Sequence, residues 1–379
     1  MRYFLIAGEP SGDLHGSNLM RGLLESDPEA EFRFWGGDKM AEVGGVENLG
    51  LHYRESSFFG LFQVIFNLRT ILRQIKLCQS QIEAFQPDVV ILIDYAGFNL
   101  KIAKFAKERA IKTFFYIAPK VWAWDESRIK RIKRYVDELF IIFPFEQEYF
   151  RKRGIEAHFE GNPLVDAIAT RCRELPSKAR FISKNGLSER PIVALLSGSR
   201  ASEIKANLPL MRRVADEFVD YQFVVAGVDW LDRKEYDKWL AGSDIKFVEG
   251  QTYELLKHSV AAIVTSGTAT LETALIGTPQ VVVFRLPWLH VTLRPLVLKI
   301  PFISLVNINL QREAVKEILQ SSLDPTAIVS ALREILPNGE GRAKMLADYD
   351  ELSNIIGEED ASRRFAERMV KLLNNISVR

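Results

Sequence analysis

The sequence predicts two α/β domains, each built around a mostly parallel sheet, and three observations carry that expectation. At 379 residues the chain suits two to three domains of about 100–200 residues each. Short β-prone apolar runs alternate with longer segments of helical period, which is the pattern of crossover units. The run 89–93, Val-Val-Ile-Leu-Ile, is apolar at every position, as in a central strand covered by helices on both faces.

In chain order, strands are expected over 3–7, 32–35, 89–93, 113–117 and 138–143. Gly161-Asn162-Pro163 and the polar stretch 171–190, with Pro176, Asn185 and Gly186, then interrupt the alternation, so the first domain is expected over 1–170. A second series follows Pro191, with strands over 192–196, 222–226, 261–264 and 281–284, giving a second domain over 171–345. No strand candidate follows Glu340; residues 346–379 are expected to be helical, with the last helix lying back across the first domain. Two such sheets facing one another would set a cleft between the carboxyl ends of their strands, where α/β proteins gather ligands.

Composition narrows the function classes. Fifty Lys and Arg against 49 Asp and Glu leave a formal charge of +1, so no global positive field points to nucleic acid. Cys78 and Cys172 form neither a CxxC nor a Cys/His pattern, and the five histidines have no metal-site spacing. The apolar stretch 4–7 is too short for a signal-peptide core, and no run approaches the roughly 18–20 apolar residues of a spanning helix. A cytoplasmic location is therefore expected, with any membrane contact peripheral.

Chemistry is expected in four strand-end loops. The first is Ala7-Gly8-Glu9-Pro10-Ser11-Gly12-Asp13, a tight turn in which Ser11 or Asp13 is placed to cap the next helix. Its glycines are not spaced as GxGxxG, which disfavours a dinucleotide. In the second, Asp94 ends the wholly apolar strand. An acid there must be paired, solvated or used as a base; the plain reading is a helix cap. In the third, Ser197-Gly198-Ser199-Arg200, small residues admit an anion to the backbone and a guanidinium fork suits pyrophosphate. In the fourth, Ser266, Gly267 and Thr268 open a helix whose amides and dipole favour phosphate, with Glu272 placed to accept from ribose hydroxyls or simply to face solvent.

Weaker features accompany these. Lys120, Trp122 and Trp124 suit a sugar or acyl platform. Arg128, Lys130, Arg131, Lys133 and Arg134 form a basic helix face, and Asp348-Tyr349-Asp350 spells DxD within a charged helix, read as chance. Phe58, Phe59, Phe62 and Phe66, followed by Arg69, Arg73 and Lys76, suit acyl chains or a membrane surface as well as a core, and 286–305 has the same character.

Taken in order, AGEPSGD, DYAGFN, APKVWAW, GNPLVD, SGSR, TSGTATLE and LVNINLQREAVKEILQ resemble the lipid-A-disaccharide synthases over most of the chain. The resemblance implies a GT-B architecture of two Rossmann-like domains. It implies an inverting transfer that joins UDP-2,3-diacylglucosamine to 2,3-diacylglucosamine 1-phosphate through a β(1→6) linkage and releases UDP, at the inner face of the cytoplasmic membrane. By motif position Asp94 would be the base on the acceptor hydroxyl, Arg200 and Asn307 further catalytic residues, and Ser199, Ser266, Gly267, Thr268 and Glu272 the UDP site. Glu9, Ser11, Asp13, Lys120 and Trp122 would face the acceptor. No metal or other cofactor is expected, and a homodimer is left open. Pro10, Ala96, Ala118, Ser197 and Val306 depart from the family pattern beside these residues; the last puts most strain on the transfer of Asn307.

Two other readings compete. Another UDP-sugar GT-B enzyme, an N-acetylglucosaminyltransferase or a UDP-sugar epimerase, would keep the nucleotide half without acyl pockets. A non-catalytic peripheral membrane protein would use the Phe-rich segment but leave Asp94, Arg200 and Glu272 without a reason to sit at strand ends.

Overall fold

The computed structural model describes residues 1–56, 68–122, 126–285, 301–320, 322 and 324–377. The chain divides into two compact units, Met1–Asp166 with Ile356–Arg379, and Ala167–Ile355. The break expected at 170/171 falls inside the helix Pro163–Arg173, and the one expected at 345/346 falls inside the helix Arg342–Ile356. Periodicity does not mark either point, because both helices run through the boundary.

The first unit holds a seven-stranded sheet in the order β3-β2-β1-β4-β5-β6-β7. Its strands are β1 (Arg2–Ala7), β2 (Glu31–Gly36), β3 (Leu49–His52), β4 (Val89–Ile93), β5 (Lys112–Tyr116), β6 (Glu138–Ile141) and β7 (Ala157–Phe159). All pairings are parallel. Successive side chains of a strand point to opposite faces, so β1 sends Tyr3, Leu5 and Ala7 into one core and Phe4 and Ile6 into another. Likewise Val89, Ile91 and Ile93 of β4 face the first core, and Val90 and Leu92 the second. Apolarity at every position of β4 is thus two covered faces superposed.

The C-terminal helix Ala361–Ser377 completes the first of those cores, with Phe365, Ala366 and Met369 wholly buried. Phe365 meets Tyr116 edge-on with ring centroids 5.2 Å apart. The Asp166 carboxylate accepts from the Ala361 and Ser362 amides at 3.2 and 3.0 Å, satisfying helix-start donors that lack partners within the helix. Gly22 of the helix Pro10–Ser26 lies so near Ala366 and Arg363 that a Cβ there would displace them.

The second unit holds six parallel strands in the order β10-β9-β8-β11-β12-β13. These are β8 (Ile192–Leu196), β9 (Gln222–Gly227), β10 (Lys246–Glu249), β11 (Ser259–Thr265), β12 (Gln280–Arg285) and β13 (Lys316–Gln320). Ile192, Ala194, Leu196, Val224, Ala226, Ala262 and Val264 pack against Phe181, Leu255 and Leu256. No helix among the described residues is long and apolar enough to cross a membrane.

Candidate active site

Strand order reverses between β1 and β4 in the first unit. The helices that follow them leave in opposite directions, opening a crevice at their carboxyl ends. Ala7 is paired with Ile93, so the Glu9 and Asp94 loops are neighbours at this switch point. A Cβ on Gly8 would overlap the Tyr95 ring; glycine is needed for the two loops to approach. Asp94 and Tyr95 have φ +45° and +46°, and Ile117, at the end of the adjacent β5, has φ +62°. The left-handed region costs a residue with a Cβ, most of all a β-branched one. Buried Asn99 holds this turn, donating through Nδ2 to the Ile93 and Asp94 carbonyls at 3.2 and 2.8 Å.

Asp94 is half-buried, and its backbone N–H donates to the Tyr116 carbonyl at 3.1 Å. Loss of water raises its carboxyl pKa above the ordinary 3.8, partly offset by the charges of Lys120 and Arg128 and by the Tyr95 amide. It does not cap the following helix: Ala96–Glu108 starts from Tyr95 with no side-chain cap. The helix Pro10–Ser26 likewise starts from Glu9 without a side-chain cap, so neither Ser11 nor Asp13 caps it as expected; both lie inside its first turn. Ser11 is exposed. Asp13 is buried and turned to another helix, Asp38–Gly44, accepting from the amides of Gly37, Lys39 and Met40 at 2.7, 3.1 and 3.1 Å. Those three bonds tie the carboxylate, expected on the acceptor side, to the start of Asp38–Gly44.

Lys120 is exposed, whereas Trp122, expected beside it as a platform ring, is buried. Its indole Nε1 donates to Glu146 Oε1 at 2.9 Å, and the Phe143 amide donates to Oε2 at 3.2 Å. Glu146 sits at the third position of the helix Pro144–Arg151, whose first residue is a proline suited to that place. Sequence reading missed it, although a Glu three residues beyond Phe143, with Pro144 between them, is a recognisable helix-start signal. Burial pushes its pKa up to about 7, against the lowering by these two donors and Lys120.

A titration near neutral pH follows. The Trp122 indole proton is expected to shift in NMR spectra with a midpoint near 7, and Glu146→Gln abolishes that transition. Because the folded-state pKa lies above the ordinary 4.5, the folded protein binds the extra proton. Stability therefore falls between about pH 4.5 and 7, by about 3 kcal/mol in all. A pH-independent indole resonance would remove this coupling.

In the second unit the reversal lies between β8 and β11, where Leu196 is paired with Val264. The Ser197–Arg200 and Ser266–Thr268 loops are consequently adjacent. Gly267 starts the helix Thr268–Ile276 with no side-chain cap and no atom within 4 Å of where its Cβ would be. Thr268 is exposed, and the Ser266 hydroxyl donates to the Ile303 carbonyl at 3.0 Å. Such a helix start can receive an anion.

Gly198 has φ +119°. The Ser199 amide donates to Glu203 Oε2 at 2.9 Å, while largely exposed Arg200 pairs with Glu203 Oε1 at 3.3 Å. Glu203, which sequence reading did not single out, therefore holds an internal carboxylate against the same donors that a phosphate would use. Glu272 is partly buried, and the Tyr253 hydroxyl donates to its Oε1 at 2.9 Å. Tyr253 was not identified from sequence, since the contact joins positions 19 residues apart without any local pattern.

Asn307, expected among the catalytic residues, has internal partners. It is wholly buried in the helix Leu305–Leu310. Oδ1 accepts from the Ala314 and Val315 amides at 2.8 and 2.9 Å, and Nδ2 donates to the Val315 carbonyl and Glu317 Oε1, both at 2.9 Å. All four hydrogen-bonding positions of its amide are used within the protein. Asp348 is also engaged, accepting from Arg312 at 2.7 Å. Phe58, Phe59, Phe62, Phe66 and Trp124, and most of 286–305, lie outside the described residues.

Two Rossmann-like units, each with small and charged residues collected at a switch point, define an α/β protein of the GT-B class. A UDP-GlcNAc 2-epimerase from Neisseria meningitidis superposes with TM-score 0.65 over 98% of this chain and 100% of that one, at 15% identity. Sucrose-phosphate synthase from Thermosynechococcus elongatus gives TM-score 0.62 over 100% and 99% of the two chains, at 13% identity. The chain itself belongs to the lipid-A-disaccharide synthetase family, hexosyltransferases of lipid A biosynthesis, whose family model matches residues 3–370. It is 36% identical to the lipid-A-disaccharide synthase of Myxococcus xanthus, covering 98% of this chain and 97% of the relative. For that of Syntrophus aciditrophicus the identity is 33%, covering 97% of both.

Proposed function

We propose that this chain condenses UDP-2,3-diacylglucosamine with 2,3-diacylglucosamine 1-phosphate, forming a β(1→6) disaccharide 1-phosphate and UDP with inversion. The observation that carries the proposal is Asp94: a carboxylate at the central switch point, made more basic by burial yet offset by two nearby cations. It takes the proton of the acceptor 6-hydroxyl as that oxygen bonds to the donor's anomeric carbon. The bond from that carbon to the β-phosphate oxygen breaks, and its electron pair leaves with UDP.

Arg200 and the amides that open Thr268–Ile276 would stabilise the developing pyrophosphate charge, with Ser199, Ser266 and Gly267 shaping the approach. Arg200 and the Ser199 amide reach phosphate by exchanging their bonds to Glu203. Glu272 would accept the ribose hydroxyls. On the acceptor side, Glu9 and Lys120 lie beside the Asp94 loop, whereas Trp122 packs on Phe145 and donates to Glu146.

Both substrates are amphiphiles, so we also propose peripheral contact with the inner face of the cytoplasmic membrane. The helix Leu68–Phe85 exposes Arg69, Leu72, Arg73, Lys76 and Leu77, a mixture of cations and apolar groups suited to an anionic lipid surface. Membership of the synthetase family favours glycosyl transfer over the epimerase and non-catalytic readings.

Mass spectrometry after incubation with the two acylated glucosamines is expected to find the disaccharide phosphate together with UDP. UDP without disaccharide, or a UDP-sugar changed only in configuration, would reject the assignment.

A further inference from the structure

We infer that Tyr253 is a positioning residue for donor recognition, its hydroxyl holding the Glu272 carboxylate so that the second oxygen is presented to the vicinal diol of a nucleotide ribose. The inference rests on the reading of Glu272 as the ribose-binding group.

Glu272 lies beyond the first turn of Thr268–Ile276, on a side chain with three rotatable bonds that must be ordered before it can accept two hydroxyls. The 2.9 Å bond from Tyr253 to Oε1 supplies that order. Among the described residues, no other hydrogen bond to this carboxylate is found, so Oε2 remains available.

The helix Thr252–His258 that carries Tyr253 is itself anchored. Glu254, beside Tyr253, is buried and accepts from Arg171 at 3.0 Å. Gln251, at the helix start, exchanges amide bonds of 3.0 and 3.2 Å with Asn185. Tyr253 therefore brings a fixed donor to Glu272 with only its own short side chain left to order. The bond also favours the charged carboxylate: burial raises the Glu272 pKa, and the Tyr253 hydroxyl lowers it. An ionised carboxylate accepts from both ribose hydroxyls, whereas a protonated one loses part of that capacity.

Calorimetry on the full chain with UDP and with 2′,3′-dideoxy-UDP tests this in the parent, Tyr253→Phe and Glu272→Gln proteins. Tyr253→Phe is expected to weaken UDP about 3–10-fold and leave dideoxy-UDP unchanged. Its acid limb for UDP binding moves to higher pH, because the bond that lowers the carboxyl pKa is gone. Equal weakening of both nucleotides would make Tyr253 a packing residue and overturn the inference. Parent-like UDP binding in Tyr253→Phe, with UDP weakened in Glu272→Gln, would reject Tyr253 while sparing the ribose reading. Unchanged UDP binding in Glu272→Gln would sink both.

Discussion

Asp94→Asn is expected to bind UDP as the parent does and to lose turnover by about 10²–10⁴. The substitution keeps the shape and removes the basic oxygen. The turn is secured by backbone groups, with Asn99 on the Ile93 and Asp94 carbonyls and the Asp94 amide on Tyr116, so the fold survives the change. Asparagine also tolerates the left-handed conformation that position 94 adopts. The proposed nucleotide donors, Ser199–Arg200 and Ser266–Thr268, lie in the other unit, so UDP affinity is expected to be independent of this carboxylate.

The pH profile gives a second readout of the same residue. A base must be ionised, so turnover falls as pH drops through the Asp94 pKa, and burial sets that limb above the ordinary carboxylate range. Replacing Lys120 by Met removes a charge that lowers the pKa, moving the limb further upward. Radiolabelled transfer and UDP calorimetry measure the two effects separately. Near-parental turnover in Asp94→Asn would remove the residue from the base role.

Legibility in the sequence followed burial. Every strand anticipated from the apolar runs is an interior one, and β4 and β8 match to the residue. The strands that escaped, β3, β7, β10 and β13, are the four sheet edges. An edge strand is partly exposed and carries a mixed pattern; β10, Lys-Phe-Val-Glu, has two exposed charged ends. Its pairing depends on a neighbour distant in sequence, which no local period records.

Site residues divide along a similar line. Strand ends located Asp94, Arg200 and Gly267, because the order of apolar runs already says where strands stop, and Glu272 follows in the helix after β11. What an individual polar side chain does there depends on tertiary partners. Asp13 carries an acidic group in a family motif, and the amides of Gly37, Lys39 and Met40 bond to it. Glu146 and Tyr253 looked like ordinary helix residues until Trp122 and Glu272 came within hydrogen-bond reach.

Asn307→Ala separates those two kinds of residue most sharply, with an expected loss of about 3–5 kcal/mol of stability in the second unit. Truncation strands the buried Ala314 and Val315 amides and removes the donor that reaches the Val315 carbonyl. It also takes one partner from Glu317, whose carboxylate accepts from the Ile303 and Ser304 amides and so holds the start of Leu305–Leu310. Asn307→Asp is a finer probe. It keeps oxygens for the two amides but turns an acceptor toward both Glu317 and the Val315 carbonyl, so it too destabilises. Urea unfolding followed by fluorescence should show both losses, while UDP affinity per folded molecule stays near the parent's. Intact stability with abolished transfer in Asn307→Ala would instead place this amide in the chemistry.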